Sequence, residues 1–158
     1  MLGWRAEYVN MVDVKASDDY LAAIELFYFA YRAFTSRPDK VLESRGLGRV
    51  HHRILYFVGR QPGQTVSQLQ ATLKVSKQAL NAPLRQLVEM RLIAVETAPN
   101  DRRAKQLSLT CDGLSLERQL TATQIRQLSA AFEAAGADAA LGWRTVMQAV
   151  SGKPEEEV

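Results

Sequence analysis

The sequence predicts a mainly α (α+β) fold, and three observations carry that expectation. Apolar residues recur at helical spacing over most of the chain, the period drops to two only between Ile93 and Leu109, and no internal repeat is present. The length, 158 residues, suits one ordinary domain or one with helical arms. A chain of that size buries roughly 70% of its unfolded surface and needs no disulfide or metal to fold. The composition, 47% hydrophobic and 23% charged, lies near the globular average and excludes a disordered or fibrous chain.

The elements follow in order. From Asp18 to Phe34, Tyr20, Ile24, Phe27, Tyr28 and Tyr31 draw one stripe along a helix, and Arg37-Pro38-Asp39 is expected to break it. After Gly46 and Gly48, the residues Leu47, Val50, Ile54, Leu55 and Val58 mark a second helix, stopped by Gln61-Pro62-Gly63. Thr65 and Gln68 form a capping box that opens a short third helix with Val66, Leu69 and Leu73 inward. Ser76 caps a fourth, with Leu80, Leu84, Leu87 and Val88 on one side and Lys77, Gln78, Asn81 and Arg85 on the other. Strict alternation over Ile93–Thr97 and Gln106–Leu109 predicts a hairpin whose tip, Ala98 to Lys105, is a long basic loop. Thr110 caps a fifth helix to about Ala134, with Leu120, Ile125, Leu128 and Phe132 inward, and Gly136 ends it. Asp138 caps a last amphipathic helix carrying Trp143, Val146, Met147 and Val150, followed by a frayed acidic tail from Gly152.

Charge is distributed unevenly along these elements. Residues 1–36 carry three basic and five acidic groups (−2), residues 37–60 six and two (+4), residues 74–105 seven and three (+4), and residues 106–158 four and seven (−3), with none in 61–73. A centre of +8 between acidic flanks gives a local field for a polyanion, although a solvated helix face accounts for such a run equally well. No stretch approaches the run of about 18 apolar residues that a membrane span needs, and Met1 to Asp19 has no signal-peptide pattern. The lone Cys111 supplies neither an internal disulfide nor a thiolate metal site. A cytoplasmic protein without metal or cofactor is the expectation. No nucleophile with its base, paired-carboxylate motif or phosphate loop points to an enzyme.

Two short helices joined by a tight turn, then a hairpin with a basic tip, is the order of a winged helix-turn-helix. In that geometry the exposed side of the fourth helix fits the major groove of double-stranded DNA. Lys77 and Arg85 meet phosphate or guanine, Gln78 and Asn81 pair with adenine edges, and Arg102 or Arg103 reaches the minor groove. Asp101-Arg102-Arg103, then Leu107-Ser108-Leu109-Thr110 and Gly113, with Val75-Ser76-Lys77-Gln78-Ala79-Leu80 upstream, resemble the MarR (multiple-antibiotic-resistance regulator) family over about residues 20–150. The resemblance implies a homodimeric transcription regulator, more often a repressor than an activator. Its N- and C-terminal helices (1–36 and 111–158) form a dimerisation domain, and residues 37–110 form the DNA-binding head over a pseudo-palindromic operator. It also implies that Arg103 enters the minor groove, oriented by Asp101. The DNA-binding set is then Ser76, Lys77, Gln78, Asn81, Arg85, Asp101, Arg102, Arg103 and Lys105. Family members commonly release DNA when a small aromatic or phenolic anion binds, or when a cysteine is oxidised.

Two residues depart from the family pattern. Pro83 removes a backbone donor and clashes with the carbonyl of Ala79, which predicts either a bend in the fourth helix or a regular helix that begins only near Asn81. Arg91 stands where a glycine would leave the helix with positive φ. For an effector site the candidates are Phe27, Tyr31 and His51. Aromatic residues at helical spacing serve as core more often than as pocket, and His51 shares a face with Leu47, Ile54 and Val58, as a buried structural histidine would. His51 and His52 point about 100° apart on a helix, which argues against joint metal ligation. Cys111, just after a helix cap, is the redox candidate, with inert packing as the alternative. The rival to a DNA regulator is a winged-helix module that binds protein through the same face.

Overall fold

A computed structural model describes residues 14–152. The opening residues and the acidic tail from Lys153 lie outside the described residues. Six helices and three short strands follow in the order α1 (Val14–Glu43), α2 (Arg49–Arg60), β1 (Gln64–Thr65), α3 (Val66–Leu73), α4 (Lys77–Glu89), β2 (Ile93–Ala98), β3 (Asp101–Leu109), α5 (Cys111–Ala135) and α6 (Ala137–Ser151). The chain divides into two compact units, one ending at Ser36 and one beginning at Arg37. The fold class is as the sequence predicts: mainly helical, with one small antiparallel sheet.

The described part of the first unit, residues 14–36, is helix alone. Its stripe of Tyr20, Ile24, Phe27 and Tyr31 is exposed, at 69%, 66%, 52% and 40%. Leu26 and Phe29 lie on the opposite side and are exposed as well. In the last turn of this unit the Thr35 hydroxyl donates to the Tyr31 carbonyl at 3.1 Å.

The second unit holds the core. Leu42, Ile54, Leu55, Val58, Leu69, Leu80, Leu87, Leu107 and Leu120 are each fully buried. Pro38 does not break α1, contrary to expectation: the helix continues to Glu43. An interior proline costs about 3 kcal/mol. Here the Pro38 ring and the Leu42 side chain one turn later are both fully buried, and burying a leucine alone returns about 1.5–3 kcal/mol. Local propensity loses to tertiary packing. The helix ends where Gly46 takes φ +70°, with Leu47 N–H donating to Leu42 O and Gly46 N–H to Glu43 O. This pair of bonds satisfies the last carbonyls of the helix.

Pro83 also sits inside a helix. α4 runs from Lys77, not from near Asn81, because Ser76 Oγ accepts from the Ala79 N–H at 3.1 Å and starts it cleanly. Its end repeats the geometry of α1 with arginine in place of glycine. Arg91 has φ +57°, Arg91 N–H donates to Val88 O, and Leu92 N–H to Leu87 O, both at 2.9 Å. The backbone the family position demands is therefore present at a cost of roughly 1 kcal/mol.

The sheet has the order β1-β3-β2. β1, which the sequence pattern did not reveal, is two residues long and pairs Gln64 with Leu107 and Thr65 with Gln106. The hairpin tip also differs from the expected long loop. β2 extends to Ala98 and β3 starts at Asp101, so that only Pro99 and Asn100 form the turn. Thr97 pairs with Lys105 and Ala98 with Asp101, which leaves Arg102, Arg103 and Ala104 without partners in the register. The ladder bulges at this point.

Thr110 closes β3 and opens α5. Its hydroxyl accepts from Gly113 N–H at 3.0 Å and donates to Arg91 O at 2.7 Å. A Cβ on Gly113 would lie 1.9 Å from Leu92 O, so only glycine lets α5 approach the end of the α4–β2 connection. Of the residues expected to face inward on α5, Leu120 is buried and Leu128 and Phe132 are half-buried, but Ile125 is 60% exposed. Gly136 ends α5 with φ +92° and is also the cap of α6, a position expected for Asp138, which instead lies in the first turn. There its charge still favours the helix N-terminus. No α6 residue is buried.

Candidate nucleic-acid interface

α3 and α4 are joined by Lys74, Val75 and Ser76, with Lys74 in the left-handed region at φ +52°. Leu80, Leu84 and Leu87 anchor α4 to the core. This packing turns Lys77, Gln78, Asn81 and Arg85 outward, and all four are exposed. Arg85 lies 3.8 Å from Glu89 one turn on, with both side chains well exposed, an arrangement worth little in water. Lys77 makes no ion pair among the described residues. The Ser76 hydroxyl serves as the helix cap.

The wing supplies the second set. Asp101 Oδ1 accepts from the Arg103 backbone N–H at 2.9 Å, closing a local turn that fixes the bulge. The Asp101 carboxylate thus holds the backbone of Arg103. Lys105 Nζ donates to Thr97 Oγ1 across the ladder at 2.9 Å. Arg102 and Arg103 are exposed, and neither guanidinium makes an ion pair among the described residues. An open recess of about 320 Å³ lies between the wing residues Asp101, Arg103, Ala104 and Lys105 and the start of α3, at Thr65, Val66 and Ser67. In the sequence these last three residues read only as the start of a helix. Their signal is the capping box itself, in which Gln68 N–H donates to Thr65 Oγ1 and Thr65 N–H to Gln68 Oε1, but strand β1 is what brings it beside the wing.

The effector and redox candidates are placed differently. Phe27 and Tyr31 are exposed in the first unit. His51 is 8% exposed in the second, and both of its ring nitrogens are bonded, to Gly48 N–H and to Gln86 Oε1. Its imidazole is committed to the fold. Cys111 is the exposed first residue of α5. Burial holds the His52 imidazole below its ordinary value of 6.5, against the opposing pull of Glu117 and Asp39, and Arg53 adds to the depression. Its Nε2 is buried without a hydrogen-bond partner among the described residues. Among the described residues no group of three His, Cys, Asp or Glu could hold a metal ion, and no helix is long and apolar enough to cross a membrane.

A helix-turn-helix flanked by a wing, with exposed cations on its second helix and on the wing tip, defines a winged helix-turn-helix protein. The MarR family pattern matches residues 45–104. The HTH-type transcriptional regulator PetP of Rhodobacter capsulatus is 42% identical over 127 residues, 80% of this chain and 76% of that protein. A crystal structure of a MarR family transcription regulator superposes with a TM-score of 0.74 at 21% identity, covering 87% of this chain and 91% of that one. Streptococcus pneumoniae FabT, solved in complex with DNA, gives 0.71 at 17% identity, covering 89% and 96%. The chain belongs to the MarR family of transcription regulators.

Proposed function

We propose that this chain is a homodimeric, ligand-responsive repressor that binds a pseudo-palindromic operator in the cytoplasm, with α4 in the major groove and the wing in the minor groove. One observation carries the reading. Lys77, Arg102 and Arg103 are exposed and make no ion pairs among the described residues, on a single head whose sequence segment is strongly basic. Cations left unspent in this way are suited to phosphate and to the negative potential of a narrow minor groove. FabT, a structure of the same fold, was solved with DNA. Gln78 and Asn81 supply base contacts, while Arg85 and Lys105 bind phosphate. Residues 1–36 and 111–158 act as the dimerisation region and 37–110 as the head. A second copy covers the apolar residues that α1 and α6 expose, Tyr20, Ile24, Val146 and Val150 among them. A small aromatic or phenolic anion is the effector class, with Phe27 and Tyr31 as its candidate contacts.

Gel shifts on DNA from upstream of its own coding region, at two salt concentrations, test the reading. With six to ten phosphates contacted, affinity falls by roughly 10³ to 10⁵ between 50 and 200 mM salt. Arg103→Ala and Lys77→Ala both weaken binding. A protein-binding module would show no such slope, and equal weak binding to specific and random DNA by all three proteins would sink the proposal. Stabilisation by aromatic carboxylates in a thermal-shift assay tests the effector, and no shift across a broad panel counts against it.

A further inference from the structure

A polar chain ties α4 to the turn between α1 and α2. Gly48 N–H donates to His51 Nδ1 at 3.0 Å, so the ring proton sits on Nε2, which donates to Gln86 Oε1 at 2.9 Å. Gln86 Nε2 then donates to the Gly46 carbonyl at 3.1 Å. The chain begins on a backbone donor and ends on a backbone acceptor. Only one histidine tautomer and one amide orientation satisfy every member.

Gln86 lies nine residues after Lys77, half a turn away around the helix, so it faces the body of the head while Lys77 and Asn81 face outward. Leu80, Leu84 and Leu87 beside it fix how closely α4 packs, but apolar contacts are non-directional and control rotation about the helix axis only loosely. Hydrogen bonds are directional and weaken steeply off line. Resting on the DNA-binding reading above, we infer that His51 and Gln86 are positioning residues for base recognition. They set the rotation of α4, and with it which base edges Gln78 and Asn81 reach.

The test starts from a duplex that the wild-type chain selects out of a random pool. Anisotropy titrations at two salt concentrations then compare this duplex with a scrambled one. Gln86→Met keeps the length of the side chain and removes both bonds. Its preference for the selected duplex falls by about tenfold, the scale of one lost base contact. Affinity for the scrambled duplex and the salt slope stay at wild-type values, because phosphate contacts carry both. Gln86→Glu still accepts from His51 but has no donor for Gly46, and its preference falls too; this variant carries the test if Gln86→Met melts at assay temperature. The double variant His51→Phe/Gln86→Met loses no more than Gln86→Met alone, since the bonds act as one chain. Wild-type preference in both Gln86 variants overturns the inference, as does an equal loss on both duplexes with a shallower salt slope. A wild-type chain without salt-dependent DNA affinity would instead remove the DNA reading, and this inference with it.

Discussion

At the residue scale, the two glycine positions of the family pattern behave in opposite ways. Arg91 adopts the left-handed backbone without being glycine, because its side chain is exposed and the two bonds that close the helix end hold it there. Gly113 has no such freedom, with Leu92 O occupying the place of its Cβ. Gly113→Ala is therefore expected to destabilise the fold by about 1–3 kcal/mol, the cost of overpacking, read as a lower urea midpoint. An unchanged midpoint would show that α5 can retreat freely. His52 gives the second prediction. Its folded-state pKa lies below the unfolded value, so at pH above 6.5 both states are neutral and titration adds nothing. As pH falls below 6.5 the unfolded chain takes up the proton first, and stability declines until the folded-state pKa is passed. His52→Phe should flatten the part of the Tm decline below pH 6.5 that this group causes. Parallel wild-type and variant curves would assign the decline to other groups.

Among the elements, Pro38 is expected to break α1 and Pro83 to bend α4 or delay its start, yet α1 runs on to Glu43 and α4 starts at Lys77. Pro38 is fully buried beside Leu42, and Pro83 is half-buried in a helix held by three leucines. Pro83→Ala restores the missing N–H donor. It is expected to raise stability by up to about 3 kcal/mol, measured by chemical denaturation, and no gain would mean that contacts of the ring offset the lost bond. The wing differs from its sequence reading for a related reason. Alternation of apolar and polar residues ends at Thr97, yet the ladder continues to Ala98 and Asp101, because backbone pairing needs no apolar side chain. The irregularity between Thr97 and Ala98 then leaves Arg102 and Arg103 outside the ladder. Asp101→Ala removes the acceptor for Arg103 N–H and should weaken DNA binding through a less ordered tip, while melting temperature changes little. Full DNA affinity in Asp101→Ala would make that turn incidental.

For the molecule as a whole, the apolar residues that α1 and α6 expose among the described residues are the surface that the proposed second copy would cover. Tyr20, Leu21, Ile24, Leu26, Phe27 and Tyr28 are each more than half exposed along one helix, and no α6 residue is fully buried. Ile24→Asp places a charge in the proposed interface. It should shift the chain from dimer to monomer in sedimentation and reduce operator affinity together with that shift. A monomeric wild type, or a variant that stays dimeric, would move the interface elsewhere.

The fold class, the helix-turn-helix with its capping box, the hairpin and the basic centre are all legible in the linear chain. These features rest on periodicity and short-range side-chain chemistry, both of which a linear chain displays. It takes the folded chain to reveal that α1 passes through Pro38, that Gln64 and Thr65 form a strand, that His51 belongs to the fold, and that α3 adjoins the wing. Each of these depends on partners distant in the chain, where burial and long-range hydrogen bonds outweigh what any residue prefers among its neighbours.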